Sequence, residues 1–260
     1  MTTIQGATIW LTGASSGIGL ALAEQLAAKG AKLILTARST QTLEALAERL
    51  PGEHQVLSLD LSKPEEAVRN AATALGEQKI DILINNAGVS QRSLALDTEF
   101  QVYRDLMEIN YFSVVALSKW VAPRMVEQGH GCIVSVSSVA GKVATKRRSG
   151  YSGAKFAVIG FMDALRAELK ASNVHCLTVC PGFVHTQIAH NALVADGSRL
   201  GQADPDNAGG ISAEQCAQEI VRAIEQRRDE IVVGKGLSKI APWLQRVAPG
   251  LLRNMIAKRD

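Results

Sequence analysis

Residues 7–19 read ATIWLTGASSGIG, and this stretch decides the fold class. It begins with an apolar, β-branched run that is typical of a buried strand, and it continues into a turn that contains Gly13, Gly17 and Gly19. A helix-forming segment, LALAEQLAAK, follows directly. Glycines between a strand and a helix let the backbone approach a pyrophosphate at the positive end of the helix. The stretch therefore indicates a dinucleotide-binding turn, although its GxxxGxG spacing differs from the GxGxxG of most such domains.

Six further apolar segments follow, and segments of helical pattern such as TLEALAERL separate them. They read KLILTA, QVLSLD, DILINN, CIVSVS, VHCLTVC and EIVVG. Short buried strands that alternate with helices are the signature of a parallel sheet covered on both faces. We therefore predict an α/β protein: a single-domain Rossmann fold over residues 1–260, with a doubly wound, seven-stranded parallel sheet and helices on both faces.

The composition argues against several other classes of protein. Charged residues make up 20% of the chain and the net charge is +3. Proteins that bind nucleic acids concentrate basic residues in one face or stripe, so we expect no nucleic-acid partner. The run over residues 6–23 has no charged side chain, but no cationic segment precedes it, so we do not expect a secretory signal. The polar stretch TGASSG interrupts it, so we do not expect a membrane span either.

The cysteines and histidines do not indicate a metal site. His185 and His190 fall in a polar loop, where loop polarity explains them, so we predict no metal. The four cysteines lack paired CxxC spacing, and we expect them to be reduced residues of a cytoplasmic protein; they are Cys132, Cys176, Cys180 and Cys216.

The end of the second predicted strand indicates which dinucleotide binds. NAD-binding Rossmann domains usually place an acid there, about 20 residues after the glycines, and it binds the ribose 2′-hydroxyl. This chain has Arg38 followed by Ser39. A guanidinium can make two charge-assisted hydrogen bonds with a 2′-phosphate, whereas an acid would repel it. Arg38 therefore favours NADP(H), with NAD as the alternative.

The segment YSGAKFAVIGFMDALRAELK holds a candidate catalytic pair. Tyr151 and Lys155 are four residues apart in a helical pattern, so both project from one face. We expect the ammonium to lower the pKa of the phenol and make it a usable acid or base. Ser138, at the end of the CIVSVSS strand, can donate a hydrogen bond to a substrate carbonyl at the same point. Alone, YxxxK is a common pattern that is better explained as a tyrosine and a lysine on a helix surface.

The motifs occur together in the order of one enzyme family. They are TGASSGIG, Asp60, the NNAG of residues 85–88, Asn110, Ser138, YxxxK and Pro181-Gly182. In this order, over about residues 6–234, the chain resembles the short-chain dehydrogenase/reductase superfamily in its 250-residue form. It is also similar to a narrower branch, the hydroxysteroid-dehydrogenase-like enzymes near dehydrogenase/reductase member seven, through TARS, SQRS, VYRDLMEINY and NALVADGSRLG.

The resemblance implies a role for each matching residue. Tyr151 would pass the proton, Lys155 would lower its pKa and hold the nicotinamide ribose, and Ser138 would polarise the carbonyl. Asn110 matches the asparagine that holds a water in the proton relay. The residues implied to bind the cofactor are Gly13, Ser15, Ser16, Gly17, Ile18, Gly19, Arg38, Ser39, Asp60, Leu61, Asn86, Ala87, Gly88, Tyr151, Lys155, Pro181, Gly182, Val184 and Thr186.

Two positions depart from the family pattern. Many NADP-dependent relatives carry a lysine or arginine where this chain has Ser16, so one of two phosphate-binding cations is missing. Lys146 stands where proline is common and begins the run Lys146-Arg147-Arg148 near the expected site mouth. This run could attract anionic substrates, but we interpret it as solvated surface charge.

Two segments outside the motifs are expected to shape the substrate site. Residues 183–212 are rich in Gly, Asp, Asn and Ser, and a loop of this length is usually a functional lid. Residues 235–260 form a cationic, amphipathic tail, which Pro249 should break into two helices. We favour packing of this tail over the lid or at an oligomer contact, with peripheral membrane contact as the alternative.

The resemblance also implies self-association. In the family, the helix that begins at Tyr151 and the long helix over about residues 101–127 pair between subunits, and here they carry apolar residues such as Val158, Phe161 and Leu165. We therefore expect a homodimer or a homotetramer.

The favoured function is an NADP(H)-dependent oxidoreductase that interconverts a carbonyl and an alcohol on an apolar small molecule, with the tyrosine as proton donor or acceptor. A second hypothesis is a 3-oxoacyl-carrier-protein reductase, whose acidic partner would meet the basic run, but such relatives commonly have a shorter lid. A third is a dinucleotide sensor or scaffold without turnover. The presence of Asn110, Ser138, Tyr151 and Lys155 argues against it.

Overall fold

The alternating apolar segments form the strands of one parallel sheet. The structure is a computed structural model that describes residues 2–202 and 209–258. The sheet order is β3-β2-β1-β4-β5-β6-β7. The strands are β1 Thr8–Thr12, β2 Lys32–Thr36, β3 Gln55–Val56, β4 Ile82–Asn85, β5 Gly131–Val136, β6 Val174–Pro181 and β7 Glu230–Val233. All seven predicted strands are confirmed, although β3 is much shorter than its apolar segment.

Helices connect the strands, so that neighbouring strands can run parallel. The helices are α1 Gly17–Ala28, α2 Thr40–Arg49, α3 Pro64–Leu75, α4 Phe100–Met107, α5 Ser113–Gln128, α6 Ser149–Glu168, α7 Ala213–Glu225, α8 Leu237–Val247 and α9 Pro249–Lys258. Helix α7 begins with a capping box: the Ser212 hydroxyl accepts from the Gln215 N–H at 3.1 Å, and the Gln215 side chain accepts from the Ser212 N–H at 3.2 Å.

Side chains of each strand alternate between two apolar cores. In β1, Ile9 and Leu11 join the core that contains α1, α2 and α7, whereas Trp10 joins the core that contains α3, α5 and α6. The indole N–H of Trp10 donates to Thr36 Oγ1 at 2.9 Å, so its buried polar group is satisfied. Because helices cover both faces, the predicted doubly wound Rossmann fold is confirmed.

The helical stretch between β4 and β5 is not regular. A π-helical turn over Glu108–Phe112 separates α4 from α5. Such a turn holds one residue more than an α-helical turn and is common at functional sites. Here it contains Asn110, which is fully buried.

Helix α6 directs two of the residues expected at a subunit contact into the core. Val158 and Leu165 are buried among side chains of α5 and the sheet, and Phe161 is partly buried against the same core. Val158 and Leu165 therefore belong to the core of the subunit, and the expected pairing of these helices between subunits would have to use other residues. The exposed apolar residues at α5 and α6 include Phe112 and Phe156, each 45% exposed.

The expected lid and tail are described in large part. Residues 203–208 of the lid and 259–260 of the tail lie outside the described residues. The tail forms α8 and α9, and the predicted break before Pro249 is confirmed at Ala248. Across residues 2–202 and 209–258, we find no helix with the length and apolar character needed to cross a membrane.

Candidate active site

The glycine turn after β1 brings three stretches of backbone together. Gly13 has φ +67°, and a β-carbon there would lie 2.9 Å from Cα of Ala87. A β-carbon on Gly19 would lie 2.0 Å from the Gly13 carbonyl oxygen. Any side chain at these positions would collide with backbone, so the turn that the sequence indicated depends on glycine.

A hydrogen-bond network fixes this turn to the end of β4. Thr12 Oγ1 accepts from the N–H groups of Asn86 and Ala87 at 3.0 and 3.1 Å. The Asn86 amide donates to the Thr12 carbonyl at 3.0 Å and to the Gly13 carbonyl at 3.3 Å. Thr12 was not recognised as a site residue, because a threonine at a strand end has no distinctive pattern.

A groove of about 440 Å³ runs along the carboxyl ends of the strands. Open α/β sheets bind ligands there, where the direction of the crossover connections reverses. Of the predicted cofactor-binding residues, all but Gly19 and Ser39 line this groove. Gly19 lies beneath it, against Gly13. Ser39 instead caps α2, with its hydroxyl accepting from the Thr42 N–H at 3.3 Å.

Arg38 lies in the groove next to the turn that follows β3. The carboxylate of Asp60 accepts from the Ser62 N–H at 3.0 Å and from the Ser62 hydroxyl at 2.8 Å. Burial raises the pKa of Asp60, but these hydrogen bonds and the Arg38 charge outweigh it, so the pKa is lowered overall. Asp60 therefore stays ionised beside Arg38.

Three predicted catalytic residues meet at one point. Ser138 lies just beyond β5, and Tyr151 and Lys155 lie in the first turns of α6. Tyr151 is 7% exposed and Lys155 is 3% exposed, and Lys155 Nζ lies 5.8 Å from the centre of the Tyr151 ring. Lys155 Nζ donates to the Val136 carbonyl at 2.9 Å, which fixes the ammonium against the end of β5.

The electrostatics of this group differ from the expectation. Burial raises the pKa of Tyr151, while a hydrogen bond with Ser138 and the charges of Arg148 and Arg92 lower it in part. Burial also lowers the pKa of Lys155 to about 8. The expectation that the pKa of Tyr151 is lowered is wrong, because desolvation of the phenolate outweighs the favourable neighbours.

Asn110 lies behind this group rather than on a cavity wall. Its Oδ1 accepts from the Val89 N–H at 3.1 Å, and its Nδ2 donates to the carbonyls of Val89 and Leu106, both at 3.0 Å. A β-carbon on Gly88 would lie 2.7 Å from Asn110 Oδ1 and 3.3 Å from Lys155 Nζ. Asn110 thus ties the loop after β4 to the π-helical turn, next to the Lys155 ammonium.

Gln91 is a further residue of this site that the sequence did not reveal. It is fully buried, and its Oε1 accepts from the N–H groups of Gly150 and Tyr151 at 2.7 and 3.2 Å. These N–H groups belong to the first turn of α6 and have no intrahelical partner. Gln91 therefore caps the helix that carries Tyr151. A single glutamine in a loop gives no local signal of such a role.

A second cavity of about 380 Å³ adjoins the groove. Four residues line both: Ser138, Tyr151, Gly182 and Ile188. Its remaining walls come from Ser90 and Arg92, from the segment over residues 139–148, from Phe183 of the lid and from the tail. The basic run Lys146-Arg147-Arg148 lies on this cavity, as expected of a site mouth, and the Arg148 guanidinium lies 5.5 Å from the centre of the Phe183 ring.

The lid also reaches the first groove. Five lid residues that were not predicted line it: Gln187, Ile188, Asn191, Leu193 and Arg199. The Leu193 N–H donates to the Ser90 carbonyl and the Arg92 N–H donates to the Leu193 carbonyl, at 2.9 and 2.8 Å. The lid is thereby joined to the same loop that carries Gln91. Long-range pairing of this kind has no periodic signal in the sequence.

The chain matches known proteins over most of its length. Residues 7–196 match the family model described as short chain dehydrogenase. The chain is 39% identical to "Dehydrogenase/reductase SDR family member 7B" of Mus musculus over 98% of this chain and 82% of that protein.

Solved structures share the architecture. A short-chain dehydrogenase/reductase from Burkholderia phymatum, in complex with NAD, has a TM-score of 0.83 at 25% identity and covers 100% of this chain and 99% of that one. A short-chain dehydrogenase from Sphingobium yanoikuyae, in complex with NADPH, has a TM-score of 0.79 at 27% identity and covers 98% and 96%. The motif order, the sheet and these matches together show that this chain belongs to the short-chain dehydrogenase/reductase family.

Proposed function

We propose that this protein is an NADP(H)-dependent oxidoreductase that interconverts a carbonyl and an alcohol on an apolar small molecule. The observation that carries the proposal is the position of Ser138 and Tyr151, which line both the groove and the second cavity. A group that must serve two ligands at once has to lie where their sites meet.

The groove fits a dinucleotide. Neighbouring backbone lies so close to Gly13 and Gly19 that neither position can carry a side chain. Helix α1 begins at Gly17, and the free N–H groups of its first turn lie at this end of the groove. Arg38 supports a 2′-phosphate at the groove, and no acid follows β2 to repel it. When bound, the dinucleotide supplies or accepts the hydride.

The side chains then handle the proton and the carbonyl. In reduction, the Tyr151 hydroxyl donates its proton to the carbonyl oxygen, and the Ser138 hydroxyl donates a hydrogen bond to the same oxygen. The phenol carries its proton at neutral pH, but its raised pKa makes it a weaker acid, so the proton transfer depends on groups that stabilise the phenolate. Lys155 Nζ is held beside it by the Val136 carbonyl, where the ammonium stabilises the phenolate left behind. In oxidation the same groups act in reverse.

The second cavity supports an apolar substrate. Its walls include Val139, Val143, Ile188, Leu252 and Ile256. Apolar pockets with a few convergent polar groups are typical of small-molecule sites. We propose that residues 183–202 and 209–212 cover the substrate and that α8 and α9 close its far side.

We also propose a homodimer or homotetramer of a cytoplasmic protein. Phe112 and Phe156 support a subunit contact, because both are large, apolar and exposed near α5 and α6.

The proposal is tested by assaying aldehydes, ketones, steroids and acyl thioesters with NADPH and with NADH. We expect turnover of an apolar carbonyl compound. At low cofactor concentration this turnover should be faster with NADPH than with NADH. Turnover confined to acyl thioesters on a carrier protein would favour the carrier-protein reductase. Tight NADPH binding with no turnover across the panel would favour the sensor.

A further inference from the structure

The tail has two apolar sides, and only one of them packs against the protein. Ala241 and Leu252 are buried with Val143 at the second cavity. Six other apolar side chains of the tail are between 42% and 63% exposed: Leu237, Ile240, Trp243, Val247, Leu251 and Met255. They are six of the 13 large apolar side chains that are exposed among the described residues. Apolar side chains that are exposed together in one region of a protein mark a binding surface.

The exposed side chains of α8 lie on one face. Ile240, Trp243 and Val247 follow the spacing i, i+3 and i+7, which places them along one side of a helix. Trp243 is the most exposed of the six, at 63%. Tryptophan is enriched where an apolar layer meets water, because its ring is apolar and its N–H is polar.

Charge identifies the kind of partner. Residues 235–258 contain five cations and no acid: the cations are Lys235, Lys239, Arg246, Arg253 and Lys258. All five are exposed. A second copy of the chain would bring the same positive charge against itself, since a two-fold contact pairs a surface with its own image. A surface of anionic lipids attracts such cations and accepts the apolar side chains between them.

The exposed face is continuous with the second cavity. Leu237 and Met255 are exposed to solvent, and both also line the cavity. A layer that covers the tail would therefore lie at the cavity wall as well.

We propose that the outward face of α8 and α9, carried by Ile240, Trp243 and Val247 and flanked by Lys239 and Arg246, binds the surface of a lipid bilayer that contains anionic lipids. The helices lie along the interface and do not span it. Where the proposed function holds, this places the substrate cavity beside the apolar layer, so that an apolar substrate can enter from the membrane.

The test is co-sedimentation of the full chain with vesicles of phosphatidylcholine, with and without phosphatidylglycerol, at low ionic strength. We expect binding to vesicles that contain phosphatidylglycerol, together with a blue shift of the tryptophan fluorescence. The variant Trp243→Phe should lack this shift, which would assign it to Trp243. The combined variant Ile240→Ser, Trp243→Ser and Val247→Ser should lower partitioning about tenfold or more, since binding scales with buried apolar area. Lys239→Gln and Arg246→Gln should each lower it about fivefold.

Leu96→Ser is the matched control, because Leu96 is 99% exposed and lies outside the tail. It should bind vesicles like the wild type. Absence of binding to phosphatidylglycerol vesicles, or equal binding by the combined variant, would overturn the proposal. Light scattering measures the oligomeric state of both proteins. If the wild type is an oligomer that does not bind vesicles, and the combined variant is a monomer, the face binds a second copy of the chain instead. These readouts do not depend on turnover, so failure of the proposed function leaves them interpretable.

Discussion

The groove and the second cavity meet at Tyr151, yet they are built in different ways. The groove lies at the ends of β1, β2, β4, β5 and β6. Backbone groups approach one another there, and Gly13 and Gly19 leave no space for a side chain. The cavity is lined by residues from the loops after β4 and β5, from the lid and from the tail. Backbone geometry tolerates little change, whereas side chains on loops can be exchanged. The groove should therefore act alike on every substrate, and the cavity should decide between substrates.

Removing the group shared by both regions should have the largest effect. Tyr151→Phe keeps the ring and removes the proton, so we expect turnover to fall about 10³-fold or more for every substrate, while NADPH binding is largely retained. Steady-state assays and a fluorescence titration of NADPH measure the two effects. Turnover close to that of the wild type would exclude Tyr151 as the acid.

A groove variant should lower cofactor binding regardless of substrate. In Gly19→Ala the new methyl group would meet the Gly13 carbonyl, so we expect NADPH affinity to fall about 100-fold and stability to fall by about 1–3 kcal/mol. The control is Gly153→Ala in α6, where no heavy atom lies within 4 Å of the added β-carbon. It should keep its NADPH affinity, and its melting temperature should stay the same or rise, because alanine in a helix interior is about 0.5–1 kcal/mol more stable than glycine. If both variants keep the same NADPH affinity and stability, the close approach of residue 19 to the Gly13 carbonyl would be contradicted.

Arg38→Ala should separate the two cofactors. Loss of a charge-assisted contact to the 2′-phosphate should weaken NADPH binding about 10- to 100-fold and leave NADH binding nearly unchanged. Titration with each dinucleotide measures this, with Arg49→Ala as the control, because Arg49 is an exposed cation at the other end of α2 and does not line the groove. Equal losses for both dinucleotides would show that Arg38 does not select the phosphate.

The pH dependence of cofactor binding should report Lys155. Burial lowers its pKa to about 8, so the ammonium is present below that pH and is lost as the pH rises through it. We expect NADPH affinity to decline above about pH 8 in the wild type and in Tyr151→Phe, and not in Lys155→Met. If Lys155→Met keeps the decline, another group titrates.

A change on the cavity side should have the smallest effect and should depend on the substrate. Leu252 is 1% exposed and joins the tail to Val143, so Leu252→Ala should raise KM severalfold for bulky carbonyls and little for small ones. NADPH affinity should stay the same. A uniform loss across substrates and cofactor would mean that the tail supports the groove as well.

The comparison also shows what the sequence could reveal. The strands, the glycine turn and the position of Arg38 follow from local pattern, because strand, turn and helix positions in a Rossmann unit have fixed spacing. The direction of the Tyr151 pKa shift does not, because it depends on how deeply the helix buries the ring. Gln91 was missed for a related reason: its partners at Gly150 and Tyr151 are distant in sequence.

The tail was predicted in part. Its two helices and their apolar spacing follow from the sequence, but the spacing alone does not say that one side is buried on Val143 while another carries Trp243 into solvent. Similarly, Val158 and Leu165 are apolar at helical spacing whether they face a partner or the sheet. Burial is a property of the assembled fold.

The π-helical turn at Glu108–Phe112 constrains how this chain can change in length during evolution. Val102 and Leu106, before the turn, pack near Tyr151, while Leu117, after it, packs under the sheet. Loss of one residue would restore a regular helix but rotate one half against the other by about 100°. Substitutions can accumulate along this helix, whereas single-residue insertions and deletions would turn one of its two apolar faces toward water. Descendants of this chain are therefore expected to keep its residue count between β4 and β5 more strictly than that of the lid.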